Sequence, residues 1–349
     1  MNQAILALDV GGGTQDLVIY YPDQPVENAV KLVLPSPTVI AARRIRAAAA
    51  AGRPVYLSGR LMGGGEVGRA VREHLATGLG VYSLAGPALT LHDDLDRVRA
   101  LGVEIVDGPP DGEVVEVPLG DLDLAGLDRA LAGFEVERPE VLAVALQDHG
   151  FSPRASNRLT RFSQWRRFLE SGGDIGALLF TRAPKELTRW VAAAEAAPGA
   201  FFMDTCAAAL WGALLDEYAA GRRDRGLVVL NAGNEHTVGF LVRGREVWGV
   251  FEQHTSVLTP ETLADLTSRF TRGRLTLEEV FQAGGHGAAY RPGYHALAPF
   301  SPMVVTGPRR ALARHLGHLA APHGEMMLSG CFGLIEAVAE HWGRRPAGA

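Results

Sequence analysis

The sequence is poor in cysteine, the residue on which disulfide frameworks and many metal centres depend. Only Cys206 and Cys331 occur among its 349 residues, and they stand far apart. Two distant thiols exclude a disulfide framework and a CxxC redox motif. They also cannot supply the four thiolates that an iron–sulfur cluster takes from one chain. The protein is therefore not built around cysteine chemistry.

An excess of positive charge and long apolar runs are also missing. Lys and Arg total 34 against 39 Asp and Glu, which gives a net charge of −5. A general nucleic-acid binder needs a basic face to neutralise phosphates, so no nucleic-acid partner is expected. No apolar run approaches the ~18 residues of a membrane span, so no membrane partner is expected. We expect a cytoplasmic protein.

The chain length and the order of its patterns indicate an α/β protein with two domains. Hydrophobic residues make up 47% of 349 residues, which suits two cores of ~100–200 residues each. Strand patterns and helical patterns alternate, as in layered α/β folds. The strand patterns cover residues 4–8, 17–21, 29–34, 54–57, 103–106 and 141–146. The helical patterns cover residues 38–51, 65–78, 93–101 and 122–131. Residues 107–118, rich in Gly, Pro and acids, are predicted to form a surface excursion.

A glycine-rich loop follows the first predicted strand, which ends at Asp9. After Asp9 and Val10 it contains Gly11, Gly12, Gly13, Thr14 and Gln15. Consecutive glycines let the backbone approach a ligand closely and point successive N–H groups at one anion. Asp9 could hold Mg²⁺ directly or through waters, and the two polar side chains could bond a β- or γ-phosphate. The alternative is a hairpin turn whose Asp caps a backbone amide.

A similar strand–turn–strand unit recurs about 220 residues later. A strand over residues 227–230 and another over 238–242 flank a second polar loop. Its candidate phosphate contacts are Asn231, Gly233, Asn234, His236 and Thr237. The repeat indicates a duplicated fold with a cleft between the halves, whereas the loop taken alone is slightly better explained by a plain hairpin turn.

Three further segments complete the pattern. Thr306, Gly307 and Pro308 end a strand in a sharp turn, which could present its backbone to a purine or ribose or simply connect two elements. Small residues line two predicted helices, one over 206–219, capped by Asp204 and Thr205, and one that begins at Gly330. Because small residues let helices approach, these two are expected to cross closely.

The order of these five segments resembles that of the actin, sugar-kinase and heat-shock-chaperone ATPase superfamily. The resemblance implies two ribonuclease-H-like lobes, residues 1–202 and 203–349, around a nucleotide cleft. It also implies ATP and Mg²⁺ as cofactors, with Asp9 and Asn231 at the metal and residues 306–308 in the adenosine motif. Many superfamily members carry Asp where this chain has Asn231, so rapid hydrolysis is not expected.

Within that superfamily the chain resembles a family described as putative pyruvate formate-lyase activating enzyme. The segments that carry this resemblance are residues 61–65, 147–150, 156–158, 284–287 and 306–308.

Gln147, Asp148 and His149 follow a strong strand pattern and are the candidate catalytic residues. They stand at a carboxyl-end edge, where α/β folds place ligands. Asp148 could orient or deprotonate an attacking hydroxyl or water, and His149, which titrates near neutral pH, could share that task. The alternative is a turn with a capping Asp and a satisfied His.

Two scattered groups of side chains leave further possibilities open. Arg154, Arg158 and Arg161 could bind an anionic substrate or form a solvated basic face. The remaining candidates for a Zn²⁺ or Mn²⁺ site are His236, His254 and His286, together with Asp148. No pair of them has the spacing of helical metal ligands, so only the fold could bring them together.

Taken together, these features predict an ATP-binding protein that hydrolyses ATP or transfers its phosphate to a small-molecule or protein acceptor. The acceptor and the oligomeric state are not predicted. Two rival functions stay open. One is a non-hydrolysing, nucleotide-gated interaction protein, and the other is a histidine-based metal-dependent hydrolase.

Overall fold

The structure, a computed structural model, describes residues 3–296 and 299–343. Its first eight strands are β1 (Ile5–Val10), β2 (Thr14–Tyr20), β3 (Val30–Pro35), β4 (Val55–Gly59), β5 (Val81–Ser83), β6 (Val103–Ile105), β7 (Val115–Leu119) and β8 (Val141–Leu146). The others are β9 (Phe201–Met203), β10 (Leu227–Ala232), β11 (His236–Arg243), β12 (Glu246–His254), β13 (Gly287–Tyr290), β14 (Met303–Thr306) and β15 (His318–Leu319).

Twelve α-helices surround these strands within the described residues. They are α1 (Pro37–Ala50), α2 (Gly65–Ala76), α3 (Ala85–Ala88), α4 (Leu95–Ala100), α5 (Leu124–Ala132), α6 (Asn157–Glu170), α7 (Thr188–Ala196), α8 (Thr205–Ala213), α9 (Glu217–Ala220), α10 (Pro260–Thr271), α11 (Leu277–Gln282) and α12 (Ser329–His341). None of these helices is long and apolar enough to cross a membrane.

The first lobe is built on a five-stranded sheet of order β3-β2-β1-β8-β9. Strands β1, β2 and β3 form an antiparallel meander, and β8 and β9 run parallel to β1. Helices cover both faces of the sheet centre, so β1 is buried along its whole length and β8 along nearly all of it. This explains why both are continuous apolar runs rather than alternating patterns.

The second lobe repeats this plan in a six-stranded sheet of order β13-β12-β11-β10-β14-β15. Strands β10, β11 and β12 form the antiparallel meander, and β14 and β15 run parallel to β10. Strand β13 extends the antiparallel edge. The strand-by-strand correspondence confirms the predicted fold class, an actin-like pair of ribonuclease-H-like lobes. The two predicted phosphate loops occupy the equivalent hairpins, β1–β2 and β10–β11.

A third, four-stranded sheet of order β6-β5-β4-β7 is inserted between β3 and β8. All of its pairings are parallel, and its core includes the inner faces of α1 and α2. The prediction of a surface excursion over residues 107–118 is wrong for its last part, because β7 (Val115–Leu119) pairs with β4. Pro118 is tolerated there because β7 is an edge strand, while Val117 and Leu119 face the core.

Helices α8 and α12 cross between the lobes at small residues, as the sequence predicts. A Cβ atom at Gly212 would overlap the backbone oxygen of Ser329, and one at Gly333 would overlap that of Ala208. Asp204 caps α8 as expected, since its Oδ1 accepts the Cys206 N–H at 2.9 Å. The predicted helix over 206–219 is interrupted after α8 and restarts as the short α9.

Candidate functional site

A cavity of 350 Å³ lies between the lobes, at the carboxyl ends of β1 and β10. The predicted site residues that line it are Asp9, Gly11, Gly12, Thr14, Gln147, Asp148, His149, Asn231, Gly233, Asn234, His236, Thr306, Gly307 and Pro308. Residues 61–65 and 89–93 of the inserted region form another wall. The structure therefore brings together most of the residues that the sequence singles out.

Gly13, Gln15 and Thr237 are predicted site residues that do not border the cavity. Side chains alternate along a strand, so Thr237 points away from the face on which His236 lies. Thr237 is fully buried, and its Oγ1 is 2.9 Å from that of Thr255. Gln15 Nε2 donates instead to the Pro35 carbonyl at 3.1 Å. The position of these two side chains gives their predicted phosphate contacts no support.

The two hairpin loops have the same turn geometry and face each other. Gly11 N–H donates to the Thr14 carbonyl, and Gly233 N–H donates to the His236 carbonyl, each at 2.9 Å. A Cβ atom at Gly12 would lie 2.7 Å from Glu235 Cγ. A Cβ atom at Gly13 would similarly meet Asn234 Nδ2 at 2.6 Å. The second loop therefore packs directly on the first, and a larger residue at either glycine would require the Glu235 or Asn234 side chain to move.

Two buried carboxylates form the floor of the cavity. Asp9 and Asp16 stand opposite each other across β1 and β2, and the Oδ1 atom of each has no hydrogen-bond partner among the described residues. Burial raises the pKa of Asp9 well above its usual range, and the neighbouring Asp16 and Asp204 carboxylates raise it further. Burial likewise raises the pKa of Asp16 to about 7. Hard oxygen donors of this kind suit Mg²⁺.

Asp16 was not among the predicted site residues, although the sequence contains a signal for it. In a hairpin with a short loop, a polar residue opposite Asp9 must share the end of the sheet with it. Helix α12 reaches the same place, because a Cβ atom at Gly330 would overlap Asp9 Oδ2.

Asn231 occupies in the second lobe the position that Asp9 occupies in the first. It is buried at the end of β10 and pairs with Thr306 on β14. Gly307 follows with a φ of +95°, and a Cβ atom there would lie 2.6 Å from Asn231 Oδ1. The turn at residues 306–308 therefore needs glycine both for its backbone conformation and for its close approach to the second loop.

Asp148 has both carboxylate oxygens occupied by backbone donors. Oδ1 accepts the Gly150 N–H at 2.7 Å, and Oδ2 accepts those of Arg189 and Trp190 at 2.9 and 3.2 Å, at the start of α7. Burial raises the pKa of Asp148 despite these bonds. The contacts match the capping alternative, and they give the role of catalytic base no support.

Gln147 links the two lobes through both ends of its amide. Its Oε1 lies 2.9 Å from His236 Nδ1 at the start of β11, and its Nε2 donates to Glu252 Oε1 on β12 at 2.8 Å. Glu252 is fully buried and also accepts the Trp165 Nε1–H at 3.0 Å. Both ends of the Gln147 amide are therefore occupied by side chains of the second lobe.

Arg161 is buried, so the interpretation of the arginine run as a solvated face is wrong at this position. Its guanidinium lies 2.7 Å from Asp204 and 3.2 Å from Glu252, and its side chain is 2% exposed. Arg158 donates to the carbonyls of Phe281 and Gly285. These two arginines join α6 to the second lobe, and Arg154 is exposed.

Four histidines converge beside the cavity, from segments that the sequence separates widely. The ring centre of His236 lies 4.6 Å from that of His254, 4.9 Å from that of His286 and 5.9 Å from that of His149. Burial lowers the pKa values of His149 and His286 to about 3 and holds that of His236 well below its usual range. Asp148 is the other predicted metal ligand, but its carboxylate oxygens accept hydrogen bonds from backbone amides instead.

Comparison with known proteins gives one family match. Residues 62–312 match the model of the family described as "Putative pyruvate format-lyase activating enzyme (DUF1786)". No protein with curated annotation is significantly similar to the chain in sequence.

Several solved structures resemble the chain at low sequence identity. Ethanolamine utilization protein EutJ from Carboxydothermus hydrogenoformans is 12% identical over 94% of this chain and 88% of its own, with a TM-score of 0.33. Lmo2764, "a putative N-acetylmannosamine kinase" from Listeria monocytogenes, is 12% identical over 97% and 99%, with a TM-score of 0.37. The ROK hexokinase from Thermus thermophilus is 15% identical over 98% and 90%, with a TM-score of 0.29.

Proposed function

The chain belongs to the DUF1786 family, whose model it matches over more than two thirds of its length, and we propose that it binds ATP with Mg²⁺ between its two lobes. The observation that carries the proposal is the pair of equivalent hairpin loops that close over two buried carboxylates. Each loop lies at the end of the central strand of a duplicated lobe. Such a pair can hold a phosphate chain from both sides.

Asp9 would hold the magnesium ion together with Asn231, and Asp16 completes the oxygen donors of the cavity floor. The unpartnered oxygens of the two aspartates support this assignment, because a buried carboxylate without a cation or donor is unfavourable. The ion supplies charge neutralisation for the phosphates. The residues of the loops would hold and orient the phosphates, and the turn at 306–308 would pack against the nucleoside.

We further propose that turnover, by hydrolysis or by transfer to an acceptor, is slow. Asn231 carries one negative charge fewer than an aspartate would at the metal. Three backbone amides also donate to the carboxylate of Asp148, and these bonds make it a weaker proton acceptor. An acceptor, either a small molecule or a protein segment, would enter along the wall formed by residues 61–65 and 89–93.

The family description names an activating enzyme, but the residues of this chain give cluster-based activation no ligands. Cys206 and Cys331 are its only cysteines, and both are buried in the helices that cross between the lobes. Burial raises the pKa values of both thiols well above their usual range.

Calorimetric titration of the purified protein with Mg-ATP tests the proposal, with Asp9→Asn as the variant and the exposed Asp23→Asn as its matched control. We expect wild type and Asp23→Asn to bind and Asp9→Asn to bind at least ~10-fold more weakly. In metal-free buffer Asp9→Asn should unfold at the same or higher denaturant concentration than wild type, because a neutral amide is cheaper to bury than an unpaired carboxylate. Absence of heat and of thermal shift at millimolar Mg-ATP would refute nucleotide binding.

The rate of ATP turnover distinguishes an enzyme from the rival function of a nucleotide-gated interaction protein. Phosphate release is measured for wild type and Asp148→Asn under saturating Mg-ATP. A rate that Asp148→Asn lowers by more than ~10-fold, with nucleotide affinity kept, supports a catalytic role. A slow rate that the substitution leaves unchanged favours nucleotide gating.

Glu235 offers a second, independent test of where the phosphates lie. Its exposed carboxylate sits on the second loop against Gly12 and lines the cavity. A negative charge beside the phosphate chain weakens binding, so Glu235→Gln should raise the affinity for Mg-ATP by a few-fold. An unchanged affinity at low ionic strength would place the phosphates elsewhere.

A further inference from the structure

We propose that His149, His236 and His286 bind a first-row transition-metal ion, of which Zn²⁺ is the best match, at a site distinct from the carboxylate floor. The inference goes beyond the proposed nucleotide function and does not rest on it. One ring nitrogen from each of the three histidines lies within 4.8 Å of the other two. The ligands come from both lobes, since His149 follows β8, His236 begins β11 and His286 precedes β13.

The spacing between the ring nitrogens suits three histidines that would reach a common ion through small rotations of their rings. Zinc–nitrogen bonds of about 2.0–2.1 Å in a tetrahedral site put the nitrogens about 3.4 Å apart. The ring centres of His149 and His286 already lie 5.5 Å apart, and those of His236 and His286 lie 4.9 Å apart. The three nitrogens, which lie within 4.8 Å of one another, would reach that spacing through rotation about the side-chain torsions.

A second, independent observation that supports a metal ion is the lack of hydrogen-bond partners for several histidine ring nitrogens. His286 is fully buried, and neither of its ring nitrogens has a hydrogen-bond partner in residues 3–296 and 299–343. Its Nδ1 lies 3.9 Å from Glu252 Oε1, beyond hydrogen-bond distance. His236 Nε2 is also buried and lacks a partner within the described chain. Buried polar atoms of native proteins are normally satisfied, so these rings point to a missing ligand, which would take one nitrogen of each.

The surroundings of His236 prepare it to be a metal ligand. Its Nδ1 lies 2.9 Å from the amide oxygen of Gln147, and the amide Nε2 of Gln147 donates in turn to Glu252 at 2.8 Å. The amide oxygen can only accept, so Nδ1 carries the proton and Nε2 keeps its lone pair. Metal-binding histidines are typically oriented by such an outer partner, which fixes the tautomer.

The charges around the site also favour a cation, although Arg161 lies nearby and lowers the pKa values of His149 and His286. The guanidinium is paired with two buried carboxylates, Asp204 and Glu252, so the group of three carries one net negative charge. The neutral imidazoles that burial produces are the form that binds metal.

Three histidine ligands leave a coordination position that faces the nucleotide cavity, because His149 and His236 both line it. Zinc sites with three protein ligands and one open position are the catalytic type, in contrast to the closed four-ligand sites of structural zinc. The ring of His254 lies 4.6 Å from that of His236 and 5.2 Å from that of His286, and it restricts access on that side. A water molecule or a phosphate oxygen is the ligand that this opening would take.

The full chain, stripped of metal with a chelator, tests the proposal by calorimetric titration with Zn²⁺ and by the visible spectrum of the Co²⁺ form. We expect about one ion per chain and, with Co²⁺, the intense bands of a four-coordinate site. His149→Ala, in which the lost ring is partly exposed, should weaken binding by at least ~100-fold, and Gln147→Ala by about 10–100-fold. His315→Ala, which removes an exposed histidine outside the cluster, should leave binding unchanged.

Circular dichroism and thermal unfolding show whether each variant is folded before it is compared. The titrations contain no nucleotide, so a failure of ATP binding leaves their outcome unaffected. Wild-type protein that takes up no Zn²⁺ at about 10 μM free ion would overturn the proposal. Equal affinities of His149→Ala and His315→Ala would do the same, and loss of Zn²⁺ binding in Asp9→Asn would assign the ion to the carboxylate floor instead.

Discussion

Replacing Gly212 by alanine is expected to strain the crossing of α8 and α12, which joins the two lobes. A Cβ atom at this position would overlap the backbone oxygen of Ser329 and lie 2.5 Å from its carbonyl carbon. Backbone atoms cannot rotate away as side chains do, so the helices must separate. Overpacking of this kind costs about 1–3 kcal/mol. Removing a glycine from a helix interior returns about 0.5–1 kcal/mol, which leaves a net loss of up to about 2.5 kcal/mol.

Gly68→Ala is the matched control, because it makes the same substitution inside α2. A Cβ atom there would meet its nearest neighbour, Arg72 Nη1, at 3.6 Å, which is ordinary contact. This variant should gain about 0.5–1 kcal/mol. The two variants share the change in helix propensity, so the difference between them isolates the steric cost at the crossing.

Urea unfolding followed by tryptophan fluorescence and far-UV circular dichroism measures both variants, with coincident transitions and equal slopes as the condition for comparison. We expect a lower midpoint than wild type for Gly212→Ala and a higher one for Gly68→Ala. Equal midpoints for the two variants would refute the close crossing, because the steric penalty would then be absent.

Three further perturbations follow from the buried charges and the close packing. Arg161→Ala should lower the free energy of unfolding by about 3–5 kcal/mol, because it leaves two buried carboxylates unpaired. Its control, the exposed Arg166→Ala, should change the free energy of unfolding by less than about 0.5 kcal/mol. A loss of similar size in both variants would argue against the buried network. The two thiols should resist Ellman's reagent in the native protein and react fully in denaturant, since both are buried and protonated; rapid native reaction would show that the cleft opens to them. Gly330→Ala should weaken Mg-ATP binding by about 10-fold with little loss of stability, because its Cβ would displace the carboxylate end of Asp9. Calorimetry measures the affinity and unfolding curves measure the stability. An unchanged affinity with a large loss of stability would contradict the prediction.

Much of the fold could be predicted because local sequence patterns reveal its central strands. The pattern over residues 141–146 coincides with β8, and the two strand–loop–strand units coincide with equivalent hairpins. Buried parallel strands need continuous apolar runs, and short hairpins need glycine and polar residues, whatever the rest of the chain does. The edge strand β7 was missed because a half-exposed strand that contains proline carries neither signal.

Side-chain roles at the cavity could be predicted only in part. The sequence places Asp9 and Asn231 correctly at strand ends, but it gives no sign that Asp148 is surrounded by three backbone amides. Nor does it show that Thr237 points into the core, since this depends on the register of β11. Arg161 is charged, and only its enclosure by two carboxylates makes its burial tolerable.

The amino-acid sequence by itself determined the two glycine loops, the duplicated lobes and the close crossing of small-residue helices. These follow from neighbours in the chain, through strand patterns, turns and residue size. Only the tertiary structure decided the histidine cluster, because His149, His236 and His286 come from separate segments of two sheets. Their spacing in the chain carries no periodicity, and their proximity arises when the lobes pack and bring the ends of β8 and β11 together.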